Sequence, residues 1–457
     1  MEAPGPSESK ERTPAFAMVA MVVLLTALSV AHAQSQQVKL VASESEDGDY
    51  VGSSLAAGEG CVFASSPAHP PGLGEWMGAV FLFRDISPLG DWSEVQDMTI
   101  APAGLEPGDH FGESISLDGR VLAASAYGDD DALEDAGCVY VIRDMSAAGN
   151  WSLVSEHKIV PSDASSGMMW YGSISIKDRT IVAGAPNDDE YGSVYVFKDT
   201  SASGDWSTYL EVKIGASDGY FYQYFGHRVW VGGDRIFAVG VYSDDSFGED
   251  SGAVYIYRDT SAQNDWSSFQ EVKLAGSDTD AGDQFGMSLV LVDRTLVVGA
   301  PAMYLNFDQS GAVLVFRDTS PLGDWSVYEE TLLLPPDPYD GLRFGRSVAT
   351  AGREILVGVP YHDGAGEDAG AAYSFADTSS AGDWSEYTVE MIVAFDANAS
   401  DAFGAEVVLT PGSKVVSAPS DINQNGATGC AYVLLGAVMF SDGFEAGDTS
   451  AWSATVP

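Results

Sequence analysis

Basic residues are scarce in this chain of 457 residues: 21 Lys and Arg stand against 67 Asp and Glu, for a formal net charge of −46. That balance excludes partners held by cationic patches, nucleic acid and anionic membrane surfaces among them. It is compatible with calcium binding, a salty habitat or plain solubility. Cysteine is nearly missing, with only Cys61, Cys138 and Cys430. An odd, small number excludes a disulfide scaffold, and no zinc spacing exists. The six histidines have no ligand or catalytic spacing, and neither a serine-nucleophile motif nor a glycine-rich phosphate loop is present. No amphipathic helical periodicity occurs after residue 33. The one long apolar run, Ala15 to Val30, is short for a membrane span. Lys10 and Arg12 precede it and Ala31-His32-Ala33 follows, the pattern of a cleaved export signal. Residues 1–33 are therefore expected to be removed and the protein to be exported.

What the chain has in abundance is repetition. An aromatic or apolar residue followed by Gly recurs at Val51-Gly52, Phe111-Gly112, Tyr171-Gly172, Phe225-Gly226, Phe285-Gly286, Phe344-Gly345 and Phe403-Gly404. The successive glycines are 60, 60, 54, 60, 59 and 59 residues apart. A period that steady denotes one supersecondary unit stacked on copies of itself. Each copy reads as four short strands. The first starts at the Gly and ends in a tight turn such as Asp178-Arg179 or Asp293-Arg294. The second ends in a small residue and often Pro, as in Gly299-Ala300-Pro301, where a proline removes a donor only as the ladder stops. A variable acidic loop follows. The third strand opens on Gly78, Gly137, Gly192, Gly252, Gly311, Gly370 or Gly429. A polar hairpin with Trp92, Trp151, Trp206, Trp266, Trp325 or Trp384 leads to the fourth. The recurring tryptophans are expected to pack between copies, and the Asp before each hairpin to cap its turn. Even spacing of four strands per repeat predicts an all-β, seven-bladed β-propeller of antiparallel blades. Repeat seven lacks its fourth strand, and Gln37 to Ala42 has the form of one. The N-terminal strand is thus expected to pair with residues near 430–435, completing the last blade and hiding two open edges.

Phe-Gly, then Gly-Ala-Pro, then Gly-x-Val-Tyr-Val-Phe resembles the FG-GAP repeat of integrin α-subunit propellers and of bacterial exported proteins. The resemblance runs from about residue 36 to 436. It implies a seven-bladed propeller with binding or adhesion roles and usually no enzyme activity. Repeats one, two and four depart from it, with Ser66-Pro67, Ser125-Ala126 and Gly240-Val241 in the Gly-Ala-Pro place. The resemblance to integrin repeats implies that a calcium loop often stands between the first two strands. Here only a tight turn such as Ile176-Lys177-Asp178-Arg179 is present, so that site does not carry over. The domain reading is a signal peptide over 1–33, the propeller over 34–436, and a tail over 437–457 that is either a sorting element or a flexible extension.

Chain direction places the loop entering the first strand and the loop between the second and third on one face. Those loops vary between copies, and variable loops on a rigid scaffold are where binding surfaces arise. They carry carboxylate runs at Asp129, Asp130 and Asp131, at Asp188 and Asp189, and at Asp244 and Asp245, candidates for Ca2+ because hard cations take many oxygen ligands. Solvated acidic loops are the alternative. Aromatics interrupt the same face at Trp170 and at Tyr220, Phe221 and Tyr222, where other copies are mainly small or acidic. These are the candidate partner anchors, with packing over the blade ends as the alternative. Most arginines fall at repeated turn or strand-end positions, so no unrepeated arginine cluster for a carboxylate stands out. The expectation is an exported, monomeric, non-catalytic module binding a protein or carbohydrate. The competing reading is a secreted polysaccharide-active propeller enzyme.

Overall fold

The computed structural model describes residues 36–58, 60–69, 76–165, 173–188, 191–219, 223–305, 308–422 and 428–435. The expected signal, the tail, Trp170, Tyr220, Phe221, Tyr222 and Asp189 lie outside them. The described residues form seven four-stranded antiparallel sheets and one two-residue ribbon, Tyr304–Leu305 with Asp308–Gln309. Blade 5 is representative, with strands Ser288–Val292, Thr295–Ala300, Ala312–Asp318 and Tyr328–Leu333 running from the channel outward. Among the described residues no helix is long and apolar enough to cross a membrane.

The last blade is composite. Gln36–Leu40 pairs antiparallel with Thr428–Leu435, Gln36 opposite Leu435 and Leu40 opposite Ala431. This is the closure expected from the sequence. It joins the two ends of the ring by a complete ladder and covers the outer edge of Thr428–Leu435.

The pieces of the repeat motif meet between blades. Gly252, which opens the third strand of blade 4, bridges in parallel to Phe285 of blade 5, whose N–H donates to the Ser251 carbonyl at 3.0 Å. Gly252 has φ +86°, and a Cβ there would overlap the Phe285 carbonyl. The partner of each Phe is Gly286 in this case, at φ +93°, where a Cβ would lie 2.7 Å from the Ala253 carbonyl oxygen. Only glycine has both the conformation and the clearance. Phe-Gly is thus the seam between neighbouring blades, which is why it recurs.

Seven apolar cores follow, one between each pair of neighbours. Val182, Val194 and Ile214 of blade 3 pack with Phe225, Phe237 and Tyr257 of blade 4, for example. The hairpin tryptophans close these cores. Trp151 of blade 2 stands edge-on to Phe63 of blade 1 at 4.9 Å. Trp206, Trp266 and Trp325 are fully enclosed. The Asp preceding each hairpin does cap it. Asp144 Oδ1 accepts from the Ser146 amide at 2.8 Å and from its hydroxyl at 2.6 Å. Its Oδ2 accepts from the turn residue Arg120 at 2.8 Å, and Arg179, Arg294 and Arg353 meet Asp199, Asp318 and Asp377 in the same way. The repeated arginines therefore stitch one end of each blade. Cys138 and Cys430 are free and fully buried, and burial pushes both thiols well up.

Candidate binding face and channel mouth

Among the described residues, and apart from Phe269 and Tyr328, which open outer strands, the exposed aromatics lie in the loops of the variable face. Trp76, Phe247, Tyr304 and Tyr361 come from loops between second and third strands, and Tyr50 and Phe395 from loops that enter a blade. Trp76 and Tyr304 are more than half exposed, at 55% and 57%. The hairpins of the opposite face expose aliphatics instead, chiefly Leu89, Leu153 and Leu322. Some rings of the variable face are already paired. His110 stacks on Tyr127 at 4.6 Å, with Trp76 edge-on to His110 at 5.6 Å.

The acidic runs divide into an inner and an outer part. The first carboxylate of each is buried and holds a lysine from the outer strand of its own blade. Lys158 pairs with Asp129 and with Asp131, the latter at 2.5 Å. Lys213 is 2.7 Å from Asp188 and 3.0 Å from Asp163. Lys273 is 2.7 Å from Asp244 and 2.9 Å from Asp218. Lys39, from the closing strand, repeats the arrangement with Asp421 at 2.6 Å and Asp396 at 2.8 Å. A tyrosine completes each cluster in blades 3, 4 and 7. The hydroxyls of Tyr195, Tyr255 and Tyr432 donate to Asp188, Asp244 and Asp421 at 3.0, 2.9 and 2.7 Å. The lysine also lies over the ring, 4.9 Å from its centre in blade 4. Burial opposes ionisation of Asp244, yet hydrogen bonds from Lys273 and Ser246 hold its carboxyl below the ordinary value. Burial likewise opposes the charge on Lys158, and its two aspartates raise it well above the ordinary lysine value.

The outer carboxylates, Asp130, Asp131 and Asp245, are exposed. Asp130 and Asp245 accept backbone N–H groups within their own loops, from Asp135 at 2.6 Å and Asp250 at 2.8 Å. Each run belongs to its own blade, and among the described residues no three His, Cys, Asp or Glu side chains are grouped to hold a metal ion. The turn between the first two strands has no room for a calcium loop of the kind expected from the integrin resemblance. Asp118 pairs directly with Val121, and Lys177 with Thr180, leaving two residues for the turn.

The innermost strands surround a central cavity of about 370 Å³. Small residues such as Ser54, Ser114, Ser288 and Ser347 recur just inside its mouth. Several bind the next blade: the Ser288 hydroxyl donates to the Gly345 carbonyl at 2.8 Å and Ser347 to that of Gly404 at 3.0 Å. Two blades break the pattern. Arg228 of blade 4 and Glu406 of blade 7 occupy this place and form an ion pair at 3.0 Å. They stand three places apart in the ring of seven, so the pair spans the channel. Trp230 lines the cavity just beyond.

Here the structure corrects the sequence reading. Among the described residues, the arginines outside every repeated position, Arg228, Arg343 and Arg346, do form a cluster. Arg346 has Arg228, Glu406, Tyr361 and Arg343 as its charged and polar surroundings. The signal in the sequence was that Arg343 and Arg346 flank one Phe-Gly while no other repeat has arginine there. Arg228, two blades away, could be added only by the ring.

Comparison with known proteins agrees with this architecture. No curated protein matches the chain. Among solved structures it is similar to PorZ, an essential bacterial surface component of the type-IX secretion system of Porphyromonas gingivalis, at 10% identity and TM-score 0.51, over 88% of this chain and 49% of that one. The chain thus spans about half the length of PorZ, and the likeness is one of fold. It is also similar to the β-propeller domain of the Trilobed protease from Pyrococcus furiosus, at 10% identity and TM-score 0.41, over 80% of this chain and 90% of that one. The FG-GAP repeat family matches residues 92–142, 153–197, 209–257, 268–316 and 327–375. The first match starts at the hairpin of blade 1 and ends in the third strand of blade 2, so a sequence repeat straddles two blades. With five matches over more than half its length, the chain belongs to the FG-GAP repeat family.

Proposed function

We propose that this propeller is an exported, non-catalytic binding module whose variable face engages a protein or glycan partner. The observation that carries the reading is the segregation of exposed aromatics, with Trp76, Phe247, Tyr304, Tyr361 and Phe395 on one face and aliphatic hairpins on the other. Rigid aromatic rings contribute disproportionately to binding energy at low entropic cost. Trp170 and Tyr220 to Tyr222, assigned to the same face by the sequence reading alone, are proposed as further anchors. A surface location is part of the proposal, supported by the export pattern at the N-terminus and compatible with the PorZ description. The test is a glycan and protein array probed with the purified chain, with and without calcium, because Asp130, Asp131 and Asp245 face solvent. Saturable binding that falls when Trp76 and Tyr304 are replaced by Ala supports the reading. Turnover of a polysaccharide would replace it with the enzymatic one, and binding unaffected by every substitution on this face would move the site to the opposite face.

A further inference from the structure

The arginine cluster at the channel mouth is not accounted for by the fold. Arg228 is neutralised by Glu406 at 3.0 Å. Arg343 lies over the Tyr361 ring, 5.8 Å from its centre. Arg346, with Arg228, Glu406 and Arg343 among its charged surroundings, makes no hydrogen bond or ion pair among the described residues, and burial together with the charge of Arg228 pushes its pKa down. Beside it, His227 has a buried Nδ1 with no hydrogen-bond partner and stands edge-on to Tyr242 at 4.6 Å. Burial first, then Arg228 and Arg346, depress its pKa to about 3, so the ring is neutral at physiological pH. The place of Arg346 is taken in blade 2 by Glu113, whose carboxyl burial pushes up, and in blades 1, 5 and 7 by Ser53, Met287 and Ala405. Positive charge is therefore concentrated on the side of blades 4 and 6.

Three guanidinium groups against one paired carboxylate is an anomaly in a chain of net charge −46. Arg346 is half-buried and its guanidinium has no acceptor among the described residues, so its donors stay open to a ligand. Its donors form a planar fork that matches the two oxygens of a carboxylate. The acidic loops around the mouth repel a polyanion, which favours a ligand carrying a single negative group. Next to the fork, Tyr361 offers an aromatic face suited to the C–H side of a sugar ring.

We propose that the channel mouth binds the carboxylate of an acidic monosaccharide unit, with Arg346 making the bidentate contact, Arg343 adding charge and Tyr361 packing on the ring. The inference rests on the variable face being the binding face and gives that face a ligand class.

Calorimetric titration of the full chain with galacturonate and with galactose tests it. Galacturonate is expected to bind saturably and galactose not. Arg346→Gln should weaken galacturonate at least about tenfold and Arg346→Lys less, since a lysine keeps the charge but loses the fork. Unchanged circular dichroism and melting in both variants show that folding is intact; if Arg346→Gln is unstable, Arg343→Gln is used, with the same expected loss. Equal binding of the two sugars, equal displacement by inorganic sulfate, or unaltered affinity in the folded variants overturns the inference. Trp76→Ala combined with Tyr304→Ala separates the two readings. If that variant loses an array partner which Arg346→Gln retains, the binding module stands and the carboxylate site falls. If galacturonate binds through Arg346 but no array partner is found, the reverse holds.

Discussion

Arg228 and Glu406 are 178 positions apart in the chain and 3.0 Å apart in space, joined across the mouth of the channel from blades 4 and 7. Both are partly exposed, at 25% and 24%, so the bond itself is modest. Its removal is asymmetric. Glu406 is the counter-charge for Arg228 and stands beside Arg346, whereas Arg228 also repels Arg346.

Glu406→Ala is accordingly expected to cost about 1–2 kcal/mol, the price of leaving a charged donor unpaired. Arg228→Ala should cost less, because it relieves the repulsion. Adding Arg346→Gln to Glu406→Ala should recover part of the loss. Urea unfolding of the three variants gives the coupling; strict additivity would show that the guanidiniums do not interact.

Gly252→Ala places a Cβ against the Phe285 carbonyl at φ +86°. Several kcal/mol of destabilisation, on the order of 3 or more, are expected, since backbone on both sides must move. Gly412→Ala is the control: no atom lies within 4 Å of its Cβ and its φ is not positive. It should change stability by less than about 0.5 kcal/mol. Thermal unfolding of both variants decides whether the seam glycines are structural.

Lys273→Met leaves Asp244 and Asp218 without their cation, and Asp244 is fully buried. A loss of about 3 kcal/mol at pH 7 is expected. The pH dependence has a definite sign. Asp244 is held below its ordinary 3.8 in the folded state, so the wild-type cluster contributes stability above that value and loses it as pH falls further. Without Lys273, burial dominates and raises the carboxyl, so the variant binds a proton on folding. The gap between variant and wild type should therefore narrow from pH 7 to pH 4. A gap that widens on acidification would reject the assignment of Lys273 as the counter-ion.

Deletion of residues 36–42 removes the outer strand of blade 7 and bares the edge of Thr428–Leu435. Melting should fall by more than about 10 °C and association should rise, because an open edge pairs with other chains. Lys39→Met keeps the ladder and loses the pairs to Asp396 and Asp421 and the cation over the Tyr432 ring, so it should fall between deletion and wild type. Scanning calorimetry and light scattering separate the two effects.

The blade was legible because its determinants are local and repeated six or seven times. Gly286 marks a positive φ, Asp144 a capped hairpin and Trp151 a packed loop, and each recurs at a fixed interval. Strand closure was legible too, since Gln37 to Ala42 has the composition of the strand that repeat seven lacks. The carboxylate runs were legible only as charge. In sequence, Asp244 and Asp245 are alike; in the structure the first is buried on Lys273 and the second faces water. The lysine comes from the outer strand, 29 positions away, and its other partner, Asp218, from the loop that enters the blade. Nothing in a run of acids reports which member turns inward.

By itself the sequence determined the repeat, its glycine seams, the hairpin caps and the strand that closes the ring, because each follows from backbone conformation or pairing encoded within a few residues. The tertiary structure decided which charges meet. Seven blades in a ring bring the entrances of all the innermost strands to one narrow mouth, so residues separated by whole repeats become neighbours. Arg228, Arg346 and Glu406 are ordinary departures from a repeat when read along the chain. They become a charged cluster only when the ring closes, because proximity across a channel depends on the number of blades and not on any local signal.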